Sequence, residues 1–361
     1  MTKKVVVVPG DESMPEAILP VVDILRSMKL DLNIQVLPTG PESLKKTDAE
    51  LAKEVESAFK GADASFRGST AEHLKGRGST RHMMSFRHTE KPLICQVRAT
   101  KWLKGFNSPL KHPEGIDYLM VREGQEDVYR GIQGPLTDLA PLKLKEGRSG
   151  ATLDTVNFHG GYLIKIITRE RTLQTAEFGC QLALKRKKRG YPGKVTIVSK
   201  ARIFPTTDGL FRQVCEETAA KYPELSYEWL SPDNFSNQMI LNPRGLDVII
   251  ITNQFGDILS DAAGATIGGI GLCPSGVYGD DFASFAPIHG TAPDLFGKNI
   301  INPTSFIFAA KMMLEYLDMQ KDANRLESAL AKVYKNGKIL TPDQGGKATT
   351  TEFCEAVKRN L

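Results

Sequence analysis

A chain of 361 residues, 41% hydrophobic and 25% charged, has the mixture of a globular protein but is too long for one comfortable core, so two packed lobes are expected. No apolar run approaches the roughly 20 residues of a membrane helix, and five scattered cysteines without a CxxC pair argue against a disulfide framework or a structural zinc site. The formal charge of +5 suits an anionic small molecule and is too small to argue for a nucleic-acid surface.

The chain opens on "KKVVVVPGD", which reads as a first buried strand and not a signal peptide, because no small-residue cleavage site follows. "PEAILPVVDILRSM" then carries helical periodicity. "PLICQVR" and "IDYLMVRE" read as strands, and between them "KWLKGFNSPLKHPEG" brings Pro and Gly together, so a domain boundary is expected near residue 100. "LALKRKKRG", holding Lys185 to Arg189, ends a helical stretch at Gly190. It reads as a capped, solvated helix end, with none of the interleaved aromatics of a nucleic-acid platform. "GKVTIVSK" precedes the helix-like "TDGLFRQVCEETAAKY", and "LDVIIIT" precedes "NQFGDILSDAAGATIGGIG". The end is helical: "SFIFAAKMMLEYL", "ANRLESALAKVY" and "TTEFCEAVKRN". Strands exchanging with helices predict an α/β fold with largely parallel pairing.

Asp257 and Asp261 are four residues apart on a helical stretch, which places both on one face with Cβ atoms about 5–6 Å apart. Like charges repel there unless a cation lies between them, and oxygen ligands on a helix suit Mg²⁺ or Mn²⁺. The rival reading, that Asp257 caps the helix and Asp261 faces solvent, stands level with it. Lys200 ends a strand where a lysine can serve proton transfer or be an ordinary surface group. Arg98 and Arg122 also lie at strand ends, with Tyr129 just beyond. Separated basic groups in such places suggest an acidic, polycarboxylate substrate, or else structural salt bridges. No GxGxxG or Walker loop is present. "HGTAPD" from His289 makes a tight loop in which Asp294 can accept from ribose hydroxyls, which favours NAD.

These blocks in this order resemble the β-decarboxylating dehydrogenases, the family of isocitrate, homoisocitrate and 3-isopropylmalate dehydrogenases. The likeness runs from "VVPGD" to "LTPDQGGKATTTEF", and "NQFGDILSDAAGATIGGIG" and "HGTAPDLFGKNIINPT" carry it most specifically. It implies an isopropylmalate dehydrogenase-like two-domain α/β fold, with parallel or mixed sheets flanked by helices. Residues 1–99 and 260–361 would form the large nucleotide-binding domain, and 100–259 the small substrate and dimerisation domain. It also implies a homodimer with shared active sites, a small 2-hydroxy di- or tricarboxylate as substrate, and no nucleic-acid or membrane partner. The cytoplasm is the expected compartment, or the mitochondrial matrix for a processed eukaryotic form. By the same resemblance Asp257 and Asp261 match metal ligands for Mg²⁺ or Mn²⁺, with Asp233 the ligand supplied across the dimer. Lys200, also given across the dimer, matches the group that deprotonates the hydroxyl, and Tyr129 the group that protonates the enol carbon. Arg87, Arg98 and Arg122 match substrate-carboxylate arginines. His289, Gly290, Thr291, Ala292, Asp294 and Asn302 match the NAD site. NAD-dependent oxidation of isocitrate is the first expectation. Homoisocitrate, 3-isopropylmalate or a regulatory-subunit role are the alternatives.

The departures concern the substrate. A segment that reads SxNxxxR in typical isocitrate enzymes has Arg81 and Met83 at its first two positions and keeps only Arg87. Arg81 would then serve a longer or differently placed carboxylate. An asparagine usual two residues after the lysine is Arg202, and the first loop, normally GDGIGPE, is "GDESMPE". "VREGQEDVYRGIQ" leans toward isocitrate enzymes and "RIFPTTDGLF" toward homoisocitrate ones.

Overall fold

The computed structural model describes residues 2–39, 45–71, 93–147 and 149–361. Arg81, Met83 and Arg87 lie outside the described residues. One ten-stranded sheet runs through the molecule in the order β2-β1-β3-β12-β11-β4-β5-β10-β8-β9. Its strands are β1 (Lys3–Val8), β2 (Leu32–Val36), β3 (Ala64–Arg67), β4 (Leu93–Lys101), β5 (Asp117–Glu123), β8 (Lys194–Val198), β9 (Ser226–Leu230), β10 (Val248–Ile251), β11 (Pro274–Gly279) and β12 (Ala283–Pro287). Val5 to Val8 and Val248 to Ile251 are wholly buried, as runs of branched residues must be in parallel strands covered on both faces. Parallel pairing holds except around β11 and β4: β11 is antiparallel to β12 and to β4, and β4 to β5. The α/β class expected from the sequence is what the chain adopts.

Helices cover both faces. They are α1 (Met14–Ser27), α2 (Asp48–Phe59), α3 (Arg169–Lys187), α4 (Asp208–Ala219), α5 (Pro232–Leu241), α6 (Asn253–Ile267), α7 (Thr304–Tyr316), α8 (Gln320–Asn336) and α9 (Thr350–Arg359). α1 starts with Pro15 inside its first turn and ends with Arg26 in its last, the asymmetry helix termini favour. α3 lies close on the sheet because Gly179 has no side chain: a Cβ there would stand 2.7 Å from Ile250 Cδ1. A small hairpin of β6 (Gln133–Pro135) and β7 (Gly161–Leu163) stands apart as a second sheet. Among the described residues no helix is long and apolar enough to cross a membrane. The five cysteines are free and buried.

The basic run is not wholly solvated. Lys185, Lys187, Lys188 and Arg189 are exposed, but Arg186 is buried against Asp247 and Asp117. A charge run read from sequence as one face here sends its second member into the core.

Candidate active site

α6 follows β10 directly, so its first turns project beyond the carboxyl ends of β5 and β10, where α/β sheets place ligands. Thr252, not Asp257, is the N-cap residue of α6, which removes the capping alternative for Asp257. The helix start is held from outside: Asp127 Oδ2 accepts from the Gln254 amide at 3.0 Å. Asp257 and Asp261 sit one turn apart on the face turned to β4 and β5, and both meet arginine.

Arg98 donates to Asp257 Oδ1 at 2.9 Å, to Asp261 Oδ1 at 3.0 Å and to Ser260 Oγ at 2.5 Å. Arg122 donates Nε to Asn253 Oδ1 at 2.9 Å and one terminal nitrogen to Asp257 Oδ1. Gly256 makes the room for this, since a Cβ at that position would lie 2.8 Å from Arg122 Cγ. The Arg122 guanidinium stands 5.0 Å from the centre of the Tyr129 ring. Tyr129 itself donates to Asp257 Oδ2 at 2.5 Å. Two arginines, two aspartates and a tyrosine foreseen from the sequence are therefore one contiguous cluster.

The cluster separates the two aspartates electrostatically. Burial raises the Asp257 carboxyl, but the Tyr129 hydrogen bond and the Arg122 and Arg98 charges overcome it and hold it below the usual range. Asp261 is pushed above that range by burial and then by the Asp257 charge, against the pull of Arg98. Tyr129 is pushed up by burial and by its bond to Asp257, so its proton is firmly held.

Among the described residues no three His, Cys, Asp or Glu side chains converge, so this chain alone supplies two carboxylates and not a closed cage. The pair nonetheless fits a hard divalent cation. Its donors are oxygens, and its carboxylates already share a positive group in Arg98. Because Asp261 holds its proton to a higher pH than an ordinary aspartate, Mn²⁺ binding is expected to weaken on acidification sooner than two ordinary aspartates would allow. Electron paramagnetic resonance titrations of free Mn²⁺ between pH 4 and 8 check this. Affinity flat down to the ordinary aspartate range would contradict it.

Lys200 and Asp233 pair with each other and share no hydrogen bond or ion pair with the Asp257 cluster. The Asp233 side chain is 66% exposed. Arg202 is exposed and lies 5.5 Å from the Trp229 ring.

The loop at His289 is tied to the first loop of the chain. Ser69 donates to the His289 carbonyl at 2.6 Å, Ser13 to the Thr291 carbonyl at 2.5 Å, and the Thr291 hydroxyl to the Glu12 carboxylate. Glu12 takes φ +53 and Ala292 φ +47, so the lost glycine of "GDESMPE" is replaced by a residue held in the left-handed region at a cost of about 1–2 kcal/mol. The His289 ring lies 3.0 Å from Ser305 Oγ and 2.9 Å from the Gly290 carbonyl, and burial lowers its pKa. Asp294 is exposed in the short turn Pro293–Leu295. Asn302 is buried, donates to Asp343 Oδ2 at 2.9 Å and accepts from the Thr304 amide at 3.0 Å.

Sequence reasoning missed the residues that aim these groups: Asn253 behind Arg122, Asp343 behind Asn302, and Asp127, Lys165 and Asp208. Asp127 stood inside "VREGQEDVYRGIQ" and Asp343 inside "LTPDQGG", which were the available signals.

A family model described as isocitrate/isopropylmalate dehydrogenase matches residues 4–357. A 3-isopropylmalate/3-methylmalate dehydrogenase of Methanocaldococcus jannaschii is 33% identical over 358 residues, 99% of this chain and 98% of the relative. A probable NAD isocitrate dehydrogenase subunit alpha, mitochondrial, of Drosophila melanogaster is 30% identical, covering 100% of this chain and 88% of that one. The crystal structure of isocitrate dehydrogenase from Methylococcus capsulatus superposes with a TM-score of 0.80 at 28% identity over 99% of both chains.

Proposed function

The chain belongs to the isocitrate/isopropylmalate dehydrogenase family, and from that premise we propose that it oxidises and decarboxylates isocitrate to 2-oxoglutarate with NAD and Mg²⁺ or Mn²⁺. The observation that carries this is the meeting of Arg98, Arg122 and Tyr129 on Asp257 and Asp261. The alternative substrates are homoisocitrate and 3-isopropylmalate.

The reaction removes the hydroxyl proton and a hydride from C2, releases the C3 carboxylate as CO₂ with its bonding pair left on C3, and returns a proton to that carbon. A divalent cation at Asp257 and Asp261 would supply Lewis-acid polarisation of the oxygen on C2, with NAD the hydride acceptor. Everything else falls to side chains. The Arg98 and Arg122 guanidinium groups, now turned on aspartates, are free to exchange them for substrate carboxylates and so fix the reacting carbons in advance. Tyr129 keeps its proton at neutral pH and can deliver it to carbon at the end. Lys200 suits the first deprotonation, and its pairing with the exposed Asp233 instead of with Asp257 or Asp261 supports donation of both to a second copy.

Apolar exposure supports such a dimer. Ile240 and Leu241 on α5, Ile258 on α6, and Val156 and Phe158 in the segment leading to β7 are all more than half exposed. The proposed division into residues 1–99 with 260–361, and 100–259, runs through the sheet between β4 and β5, and its chain crossings lie inside β4 and inside α6. Five free buried cysteines fit a reducing compartment, cytoplasm or mitochondrial matrix. Arg81 and Met83 motivate the rival reading of a regulatory subunit, and the complete Tyr129, Asp257 and Asp261 cluster argues against it.

A substrate panel tests the proposal. Purified protein with Mn²⁺ and NAD⁺ is expected to form NADH fastest with isocitrate. NADP⁺ should serve at least tenfold less well, because Asp294 repels a 2′-phosphate and a lost charged contact is worth about 1.5–3 kcal/mol. Failure with isocitrate, homoisocitrate and 3-isopropylmalate alike would sink the catalytic reading. Turnover that appears only with a second, different subunit would favour the regulatory one.

A further inference from the structure

Lys165 lies between Asp127 and Asp208, outside the cluster described above. Its ammonium is 2.7 Å from Asp208 Oδ2 and 3.4 Å from Asp127 Oδ1. The rings of Phe204 and Phe255 flank it, with centres 5.4 and 5.2 Å away. Asp208 is wholly buried and Asp127 nearly so, so each depends on this ammonium for its counter-charge, beyond the backbone and hydroxyl donors around it.

What the two carboxylates hold is more informative than the ion pairs themselves. Asp208 Oδ1 accepts from the Lys200 amide at 2.8 Å. Asp127 Oδ1 accepts from the Val128 amide at 2.8 Å, at the start of the turn Val128–Arg130 that carries Tyr129. Asp127 Oδ2 accepts from the Gln254 amide at the start of α6, the helix of Asp257 and Asp261. Asp127 achieves this at φ +68, a conformation that survives only where the surroundings over-determine it. Its amide bonds to the Ile166 carbonyl at 2.8 Å, next to Lys165. One ammonium thus joins the backbone that aims Lys200 to the backbone that aims Tyr129 and the metal aspartates.

We propose that Lys165 is a positioning residue that couples the Tyr129 and α6 segment to the Lys200 segment of the same chain. In the exchanged dimer, the first segment serves this chain's site and the second serves the partner's. Lys165 therefore links the two sites of the dimer through a single ion-paired hub. The kinetic consequence rests on the dehydrogenase reading; the structural one does not.

The test uses the full-length protein carrying Lys165→Met and Lys165→Arg, read by turnover and by amide hydrogen exchange. Lys165→Met is expected to lower kcat by roughly 10–100-fold while KM for the hydroxy acid stays within about threefold, because displacing catalytic groups by about 1 Å costs rate on this scale. Lys165→Arg, which keeps the charge, restores most of it. In Lys165→Met the Val128, Gln254 and Lys200 amides exchange faster together, while amides of α8 and α9 do not change. Should Lys165→Met fail to fold, Lys165→Gln, which keeps a donor without the charge, is read in the same way. Faster exchange at only one of the two segments, a loss confined to KM, or no rescue by arginine would overturn the proposal. If the wild-type protein oxidises no hydroxy acid, the functional reading falls, and the exchange measurement alone decides the role of Lys165.

Discussion

Asp257→Asn is expected to lower kcat by about 10³-fold, some 4 kcal/mol of transition-state stabilisation. No other side chain in the cluster accepts from so many partners: Arg98 and Arg122 share its Oδ1, and Tyr129 takes its Oδ2. An asparagine puts an N–H donor where one of these oxygens was. It then faces either a guanidinium, donor against donor, or the tyrosine hydroxyl, which must turn its proton away to accept, and it removes the charge that the cation needs. Two consequences should separate in experiment. Mn²⁺ binding, followed by electron paramagnetic resonance, weakens because one of two carboxylates is lost. Turnover at saturating Mn²⁺ stays low because Tyr129 and the two arginines have lost the carboxylate that aligns them. Melting temperature should move only slightly, since Asp257 is partly exposed at the mouth of the site. Retention of more than a tenth of wild-type kcat at saturating Mn²⁺ would show that Asp257 is not the organising group.

The side chains that meet in this cluster were legible early because each lies on or just beyond an apolar strand or on the helix that follows one. Arg98 and Arg122 sit near the ends of apolar runs, and Asp257 and Asp261 sit at helical spacing after "LDVIIIT". Periodicity and turn position suffice for such residues, and the family resemblance assigned their roles. The antiparallel placement of β11 and β4 in the middle of the sheet was not legible. Strand direction depends on which neighbour a strand finds, and a run such as "PSGVYG" reads alike in either direction. Nor were Asp127, Lys165, Asp208 and Asn253 legible as a supporting set. They are polar residues without a period, and their meaning lies in partners distant along the chain, as with Asp127 and Gln254. The Glu12 turn shows the same limit from the other side. Sequence showed that a glycine was missing, and only the structure shows the left-handed backbone retained and the carboxylate bonded to Thr291.

Arg186→Met should cost about 3–5 kcal/mol, the range for removing one partner of a buried ion pair, and lower the melting temperature by roughly 4–7 °C. Asp247 is wholly buried at the entry to β10. It accepts from Arg186 Nε at 2.6 Å and from the Gly193 and Lys194 amides at 2.8 and 3.3 Å. Arg186 also donates to the Asp117 carbonyl at 2.8 Å and to its carboxylate at 3.2 Å, with its guanidinium carbon 3.7 Å from the centre of the Tyr191 ring. A methionine fills much of that volume but leaves Asp247 a buried anion with amide donors and no counter-charge. Adding Asp247→Asn to Arg186→Met removes the stranded charge and should recover part of the loss, a coupling that two independent surface residues do not show. Lys188→Ala, two residues along and exposed, should stay within about 0.5 kcal/mol of wild type. Scanning calorimetry on the four proteins decides the matter. Equal melting shifts for Arg186→Met and Lys188→Ala, or no recovery in the double variant, would mean that the charge run is the uniform solvated helix end its sequence suggests.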